Sequence, residues 1–466
     1  MIVATTPGTV GEEATCRLPP AQEMRPSIRN ALRNRVHRGF LQSAGWLLGG
    51  AATGRLFSLL ATIAVARLVA PKEFGQLTIV QTAVVFLAGA AALGLGLAVT
   101  RQVARTRVAD PAAAGRYLGV ALWVTACSAV VIVAGCLAAR HLIAEAVLQD
   151  AGLTDFVSAG AGAIAFAALA AVGQGGLMGL ESFRLGAVAQ ASQGVIASAG
   201  LLTGAAVAEV HGALVGFTAG NALAALVAFM LLQRASADAG IRLSWEVRAE
   251  EWRRLWRLGL PSLVAFLVVY AALFGGQLLL SRQENGYAQI GLFNLAYRWH
   301  LAIMFVPSAI APILLPMMTR LRSEERAGDA RGLLRFNVAL VLGLTAIPAL
   351  VIAAASHPIL AFNGSFYASH TSVLILLALA TIPSAVNNVL SSASLSLGAV
   401  GAWLASDVAL AIAFAGAAAA LIPTSAAVGL AAAYLIGYVA TDAVLIGAIR
   451  ARMRDRSPSP TGEPVA

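Results

Sequence analysis

Along this chain the apolar residues come in long uninterrupted runs, parted by short polar gaps. Each run is close to the roughly 20 residues that carry a helix across a bilayer. The pattern predicts twelve helices, at roughly 46–69, 75–99, 117–139, 157–180, 186–208, 211–232, 259–281, 288–316, 335–356, 370–395, 402–422 and 425–448. Neighbouring runs around 99–100, 181–186 and 209–211 are so close that most spans must pair as antiparallel hairpins. The gaps on one side stay short throughout. The longest is about 140–156, and another, 357–369, contains His357, Pro358, Asn363 and Gly364. This leaves no room for a folded domain on that side.

Two stretches mix the patterns. In 27–40, Ile28, Leu32, Val36 and Phe40 recur every fourth position among Arg29, Arg33, Arg35 and Arg38. An apolar stripe with a basic face suits a helix lying on a membrane surface. In 245–258, Trp245, Trp252, Leu255 and Trp256 alternate with Arg253, Arg254 and Arg257. Tryptophan at headgroup depth is expected there. Both read as membrane-hugging linkers, with recognition of lipid head groups as the alternative.

Charge then orients the helices. All but six of the 32 Lys and Arg fall in alternate gaps; the six are Arg55, Arg67, Lys72, Arg140, Arg282 and Arg298. This alternation is the positive-inside pattern of a multi-pass inner-membrane protein with both termini cytoplasmic. Hydrophobic residues are 59% and charged residues 12% of the chain, against about 25% charged in soluble domains. The net charge of +10 does not indicate nucleic acid, because the excess sits in loops where insertion rules and anionic lipid account for it. Cys16, Cys127 and Cys136 form no disulfide framework; Cys127 and Cys136 are too far apart on one helix to bond to each other. Residues 1–24 lack an apolar core segment and read as a disordered cytoplasmic tail, not a signal peptide.

The fold class expected is an all-α polytopic membrane protein, with about twelve transmembrane helices in two parallel six-helix lobes; the central cavity between them is what the resemblance given below implies. The expected division is 1–45, tail and interfacial helix; 46–232, first lobe; 233–258, cytoplasmic linker; 259–449, second lobe; 450–466, tail. The halves echo each other. Glu73-Phe74-Gly75-Gln76-Leu77 follows helix 1 as Gln289-Ile290-Gly291-Leu292-Phe293 follows helix 7, and Gly179-Leu180-Glu181-Ser182-Phe183-Arg184 follows helix 4 as Ser396-Leu397-Gly398-Ala399-Val400 follows helix 10. An even number of helices per half makes the repeat parallel, as in alternating-access transporters.

These residues also carry a family resemblance. Ala66-Arg67-Leu68-Val69-Ala70-Pro71-Lys72-Glu73-Phe74-Gly75 resembles the "ARLLGPEEFG" signature of polysaccharide-unit flippases. Gly291-Leu292-Phe293-Asn294-Leu295-Ala296-Tyr297-Arg298 is similar to their "G-Y-Y-N-A-A-Y-R" segment, followed by Pro307-Ser308-Ala309 and Leu315-Pro316. Leu395-Ser396-Leu397-Gly398 resembles their "L-A-L-G" end of helix 10. The resemblance covers about residues 40–450. It implies the multidrug/oligosaccharidyl-lipid/polysaccharide flippase superfamily, polysaccharide transporter branch. It further implies two lobes around a cavity that passes undecaprenyl-diphosphate-linked oligosaccharide across the inner membrane. The implied partners are that substrate, membrane lipids and polysaccharide polymerase and export machinery; the two extra helices usual in lipid II flippases are not found.

Ionisable residues inside spans point to function. Arg55 and Arg298 occupy similar places in the two halves, and a planar guanidinium can grip a diphosphate bidentately. They read as substrate-binding cavity residues, or else as side chains that snorkel to an interface or pair with a carboxylate. Arg67 and Lys72 read as markers of the outer interface, with a ligand role as the alternative. Asp407 and Asp442 are the deepest carboxylates. They read as a proton or sodium coupling site, as counter-ions for Arg55 or Arg298, or as hydrated helix ends. Gln277, Asn387, Asn388 and Gln81 can bind sugar hydroxyls or tie helix to helix. His300, beside Trp299, reads as a packed residue, with a titrating role as the alternative. Pro307, Pro312, Pro316, Pro348 and Pro383 permit bends in the second half.

Other classes fit less well. An ion-coupled drug exporter of the same superfamily is the alternative, but the first half shows no clear intramembrane carboxylate. A membrane polymerase or ligase needs a large outer loop. An ATP-driven exporter needs G-x-x-x-x-G-K-[ST], and the sole lysine, Lys72, follows Pro71. No cofactor, metal-ligand spacing or catalytic triad is read from the sequence, so no enzyme is expected.

Overall fold

A computed structural model describes residues 26–246, 248–308, 327–397 and 399–454. The tails before 26 and after 454, Gly398, and Pro312 and Pro316 lie outside the described residues. The chain divides into two units, Met1–Trp46 and Leu47–Ala466. The first holds the leading turns of one long helix, and the second holds the helix bundle. The described elements are helical, with no strand among them.

The first half comprises α1 (Pro26–Leu68), α2 (Pro71–Ala91), α3 (Leu95–Thr106), α4 (Pro111–Ala138), α5 (Thr154–Gly179) and α6 (Phe183–Asp238). The second comprises α7 (Ala249–Ser281), α8 (Gly286–Ile303), α9 (Ala327–Ala354), α10 (Thr371–Ser396) and α11 (Val400–Arg454). Pro71 and Pro111 open their helices where no N–H is needed, and the Asp110 carboxylate caps α4 by accepting from the Ala113 N–H at 2.9 Å.

Nine helices among the described residues are long and apolar enough to cross a membrane. Two of them are long enough for more than one crossing. At 1.5 Å per residue, α6 with 56 residues and α11 with 55 far exceed a hydrocarbon core of about 30 Å. α6 breaks at Ala208 and Glu209, and α11 at Ala426, just after Pro423. These breaks fall at the gaps the sequence places between its fifth and sixth and its eleventh and twelfth helices. The expected helix 288–316 is described only as α8 and a further turn to 308.

The expected helix 75–99 is corrected. Leu93 and Gly94 adopt left-handed backbone (φ 53° and 67°) and split it into α2 and α3. A side chain at Gly94 would strike the Gly259 carbonyl, so the break is where α3 turns to lie against α7.

Helices extend into the stretch expected as the linker, 233–258, from both sides. α6 runs to Asp238 and α7 starts at Ala249, so 239–248 is the connection. The segment expected to lie along the membrane surface is the start of α7, packed into the first half. Leu255 is 1% exposed within a cluster holding Leu95, Val99, Tyr117 and Leu232. Glu251 accepts from the Arg116 Nε and Nη2 at 2.9 and 2.7 Å, with side-chain exposures of 13% and 7%. Breaking a buried pair leaves a charge without its partner, at a cost of about 3–5 kcal/mol. Glu251→Ala is therefore expected to lower thermal stability in detergent sharply, and Arg116→Met/Glu251→Leu to recover much of it. Equal melting of Glu251→Ala and wild type would contradict this packing.

The largest apolar cluster joins both halves. Val65, Phe74, Leu77, Leu148 and Leu214 meet Ile290, Phe293, Leu374 and Phe414. It includes the two segments that echo each other in sequence, because α2 and α8 touch where both carry glycine. An added methyl on Gly75 would overlap the Tyr287 carbonyl, and one on Gly291 would come within 2.9 Å of the Phe74 ring. Tyr287 Oη donates to the Leu148 carbonyl, Asn363 Nδ2 to the Ile63 carbonyl at 2.8 Å, and the Arg67 guanidinium lies over the Phe362 ring at 4.6 Å. One end of the helix bundle is thereby closed by contacts between its halves.

Candidate functional site

Above this closed end lies a cavity of about 400 Å³. Both halves line it. α1 presents Ser58 and Thr62; α2 presents Thr78, Gln81 and Thr82; α6 presents Gln193, Ser198 and Asn221. From the second half come Tyr270 and Gln277 of α7, Asn294, Tyr297 and Arg298 of α8, and Tyr434 of α11. The wall is thus rich in hydroxyls and amides, with aromatic rings between them. Arg298 is the one charged side chain among the described lining residues.

The polar side chains are held across the two halves. Asn294 Nδ2 donates to Thr78 Oγ1 and to Gln277 Oε1, both at 3.2 Å. Arg298 Nη1 reaches Ser58 Oγ at 3.4 Å, and Arg55 Nη1 reaches Ser308 Oγ at 3.3 Å. Each arginine thus ties the first half to the second. Arg55 lies 13 residues before the end of α1 and Arg298 12 residues after the start of α8, so both stand about 18–20 Å from the closed end. Neither has a carboxylate partner among the described residues. Arg55 does not line the cavity; it is exposed, with its guanidinium 5.4 Å from the Phe305 ring centre.

Of the predicted site residues, the structure brings Arg298, Gln277 and Gln81 into the cavity and puts Arg55 within reach of Ser308. It sets the others apart. Asn387, Asp407 and Asp442 do not line the cavity. Asp442 is 8% exposed, and its carboxylate faces the buried Asn387 side-chain amide. Tyr438 and Ser384 adjoin this group, with Asp407 nearby. Neither carboxylate forms an ion pair with Arg55 or Arg298 among the described residues. Tyr297, Tyr434 and Tyr438 form a column of rings, 5.5 and 6.4 Å between successive centres, from the cavity towards this second cluster. His300 is packed, 2% exposed, with Nδ1 3.0 Å from the Leu377 carbonyl.

Sequence reasoning passed over Asn294, Thr78, Gln193, Asn221 and Tyr270. A signal was present: Asn294 precedes Arg298 by four positions, and Ser58 precedes Thr62 by four, which places each pair on one helix face.

The fold is that of transporters of the multidrug/oligosaccharidyl-lipid/polysaccharide superfamily. An inward-facing multidrug-resistance MATE family transporter aligns with TM-score 0.76 and 15% identity, over 87% of this chain and 96% of that one. The lipid II flippase MurJ in an inward closed conformation aligns with TM-score 0.70 and 14% identity, over 86% and 87%. A superfamily transporter from Pyrococcus furiosus aligns with TM-score 0.66 and 15% identity, over 89% and 95%.

The chain belongs to the family described as polysaccharide biosynthesis protein, whose pattern it matches over residues 64–369. It is also 30% identical over 131 residues to the EPS I polysaccharide export inner membrane protein EpsE of Ralstonia nicotianae. That alignment spans 28% of this chain and 29% of the relative's length.

Proposed function

We propose that this protein is a flippase, not an enzyme, that moves undecaprenyl-diphosphate-linked oligosaccharide across the inner membrane for polysaccharide export. The observation that carries the reading is the cavity wall. One guanidinium without a carboxylate partner among the described residues, Arg298, stands among hydroxyls, amides and tyrosines drawn from both halves. A diphosphate needs a cation that binds it in a bidentate manner, and an oligosaccharide needs many hydrogen-bonding groups. The described wall holds no carboxylate to attract a cationic drug. Membership of the polysaccharide biosynthesis family and the likeness to an export protein support the same substrate class.

In this reading residues 46–232 and 259–449 form two lobes, with both termini cytoplasmic. The end sealed by Gly75, Tyr287 and Asn363 is the outer gate. The head group enters from the cytoplasm, the polyprenyl chain stays in the bilayer, and separation of α2 from α8 releases the sugar outside. Arg55 guides the diphosphate at the entrance. Reconstituted vesicles loaded with undecaprenyl-diphosphate-linked oligosaccharide test this. Protein-dependent exposure of inner-leaflet sugar to an added glycosidase is expected; identical exposure in protein-free vesicles would contradict it.

Asp442, Asp407 and Asn387 form the coupling site, where a proton or sodium ion meets the buried Asp442 carboxylate. Asp442→Asn is expected to abolish ion-driven transport while leaving substrate binding to the solubilised protein intact. Ion-driven transport at the wild-type rate in this variant would remove Asp442 from that role.

A further inference from the structure

The second half carries another groove, distinct from the cavity. It has a volume of about 650 Å³ and lies between α9, α10 and the last part of α11. It shares no lining residue with the central cavity. Its walls are apolar, with Val338 and Leu342 facing Leu390 and Ile446, and two arginines, Arg335 and Arg450, line it as well. Arg335 lies in the first third of α9 and Arg450 in the last two turns of α11, and both line this groove, so the two cations stand towards the same end of the bundle. Neither pairs with a carboxylate among the described residues.

The first half supplies a contrast. A groove of about 400 Å³ on α4, α5 and α6, lined by Trp123 and Phe229 among others, has no charged lining residue. Apolar grooves on a membrane-spanning bundle take up acyl chains of any lipid. A groove that ends in two guanidinium groups also selects the head, because basic pockets between transmembrane helices bind anionic head groups.

We infer that the α9–α10–α11 groove is a binding site for an anionic glycerophospholipid, with its phosphate held by Arg335 and Arg450 and one acyl chain along Val338 and Leu390. The bilayer supplies this lipid; the groove's separation from the cavity argues against the transported substrate as its occupant. The inference does not depend on which head group crosses the cavity.

The test is native mass spectrometry of the delipidated full-length protein, titrated with phosphatidylglycerol and with phosphatidylcholine of the same chains. Two arginines near a phosphate predict a preference for phosphatidylglycerol of about 30-fold. Arg335→Gln/Arg450→Gln is expected to erase that preference. Ala339→Phe, which fills the chain-binding part of the groove, is expected to weaken both lipids. No preference in the wild type, or a preference retained in the double variant, would overturn the assignment. So would tighter binding of undecaprenyl diphosphate at this groove, because it would give the site to the substrate.

Discussion

Arg298→Gln is expected to abolish surface polysaccharide in a complemented deletion strain while the protein accumulates normally in the membrane. Arg298 is half-buried, lines the cavity and has no carboxylate partner among the described residues. Its charge is thus available to the substrate instead of being spent within the fold. Truncating one partner of a desolvated charge pair costs about 2–5 kcal/mol, a loss of roughly 30- to several thousand-fold in affinity. Arg298→Lys keeps the charge but loses the planar fork, so it should fall between wild type and Arg298→Gln. Arg55→Ala should be milder than Arg298→Gln, because Arg55 is exposed outside the cavity. Full export from Arg298→Gln would remove this residue from the substrate path.

Gly75→Leu is expected to stop transport by a different route. The backbones of α2 and α8 approach so closely that any side chain at Gly75 meets the Tyr287 carbonyl. A flexible side chain could move aside, but main chain in a packed core cannot without a backbone shift, typically at 1–3 kcal/mol or more. The end closed by this contact should therefore stay open. Thr78 is 4% exposed, on the wall just beyond Gly75. In a background without native cysteines, Thr78→Cys should resist a membrane-impermeant thiol reagent added from outside. The same cysteine combined with Gly75→Leu should react readily. Equal protection in both would show that this contact is not the gate.

Much of the fold was legible because the length and spacing of apolar runs are properties of sequence alone. The breaks in α6 and α11 fall where the polar gaps predicted them. The break at Leu93 and Gly94 did not show, because an apolar run conceals a bend set by close contact with Gly259 on another helix. The start of α7 was legible on one face only. Trp252, Arg253 and Arg257 are exposed, as a membrane-surface segment requires, while Leu255 is buried and Glu251 is held by Arg116, 135 residues earlier, a contact that no local pattern reveals. The site divides in the same way. Arg298 stands out as a charge in an apolar helix. Asn294, Gln193 and Asn221 are ordinary polar residues until packing turns them towards one space. Asn387 could be read as a sugar ligand, but it adjoins Asp442 instead, which no single-helix pattern reveals.

The central claim is that the cavity carries a lipid-linked glycan. It is tested most directly by extracting the lipids of a strain lacking this protein and quantifying undecaprenyl-diphosphate-linked oligosaccharide by mass spectrometry beside surface polysaccharide. The account predicts that lipid-linked repeat units accumulate while the surface glycan is lost. Unchanged lipid intermediates with intact surface glycan would contradict it.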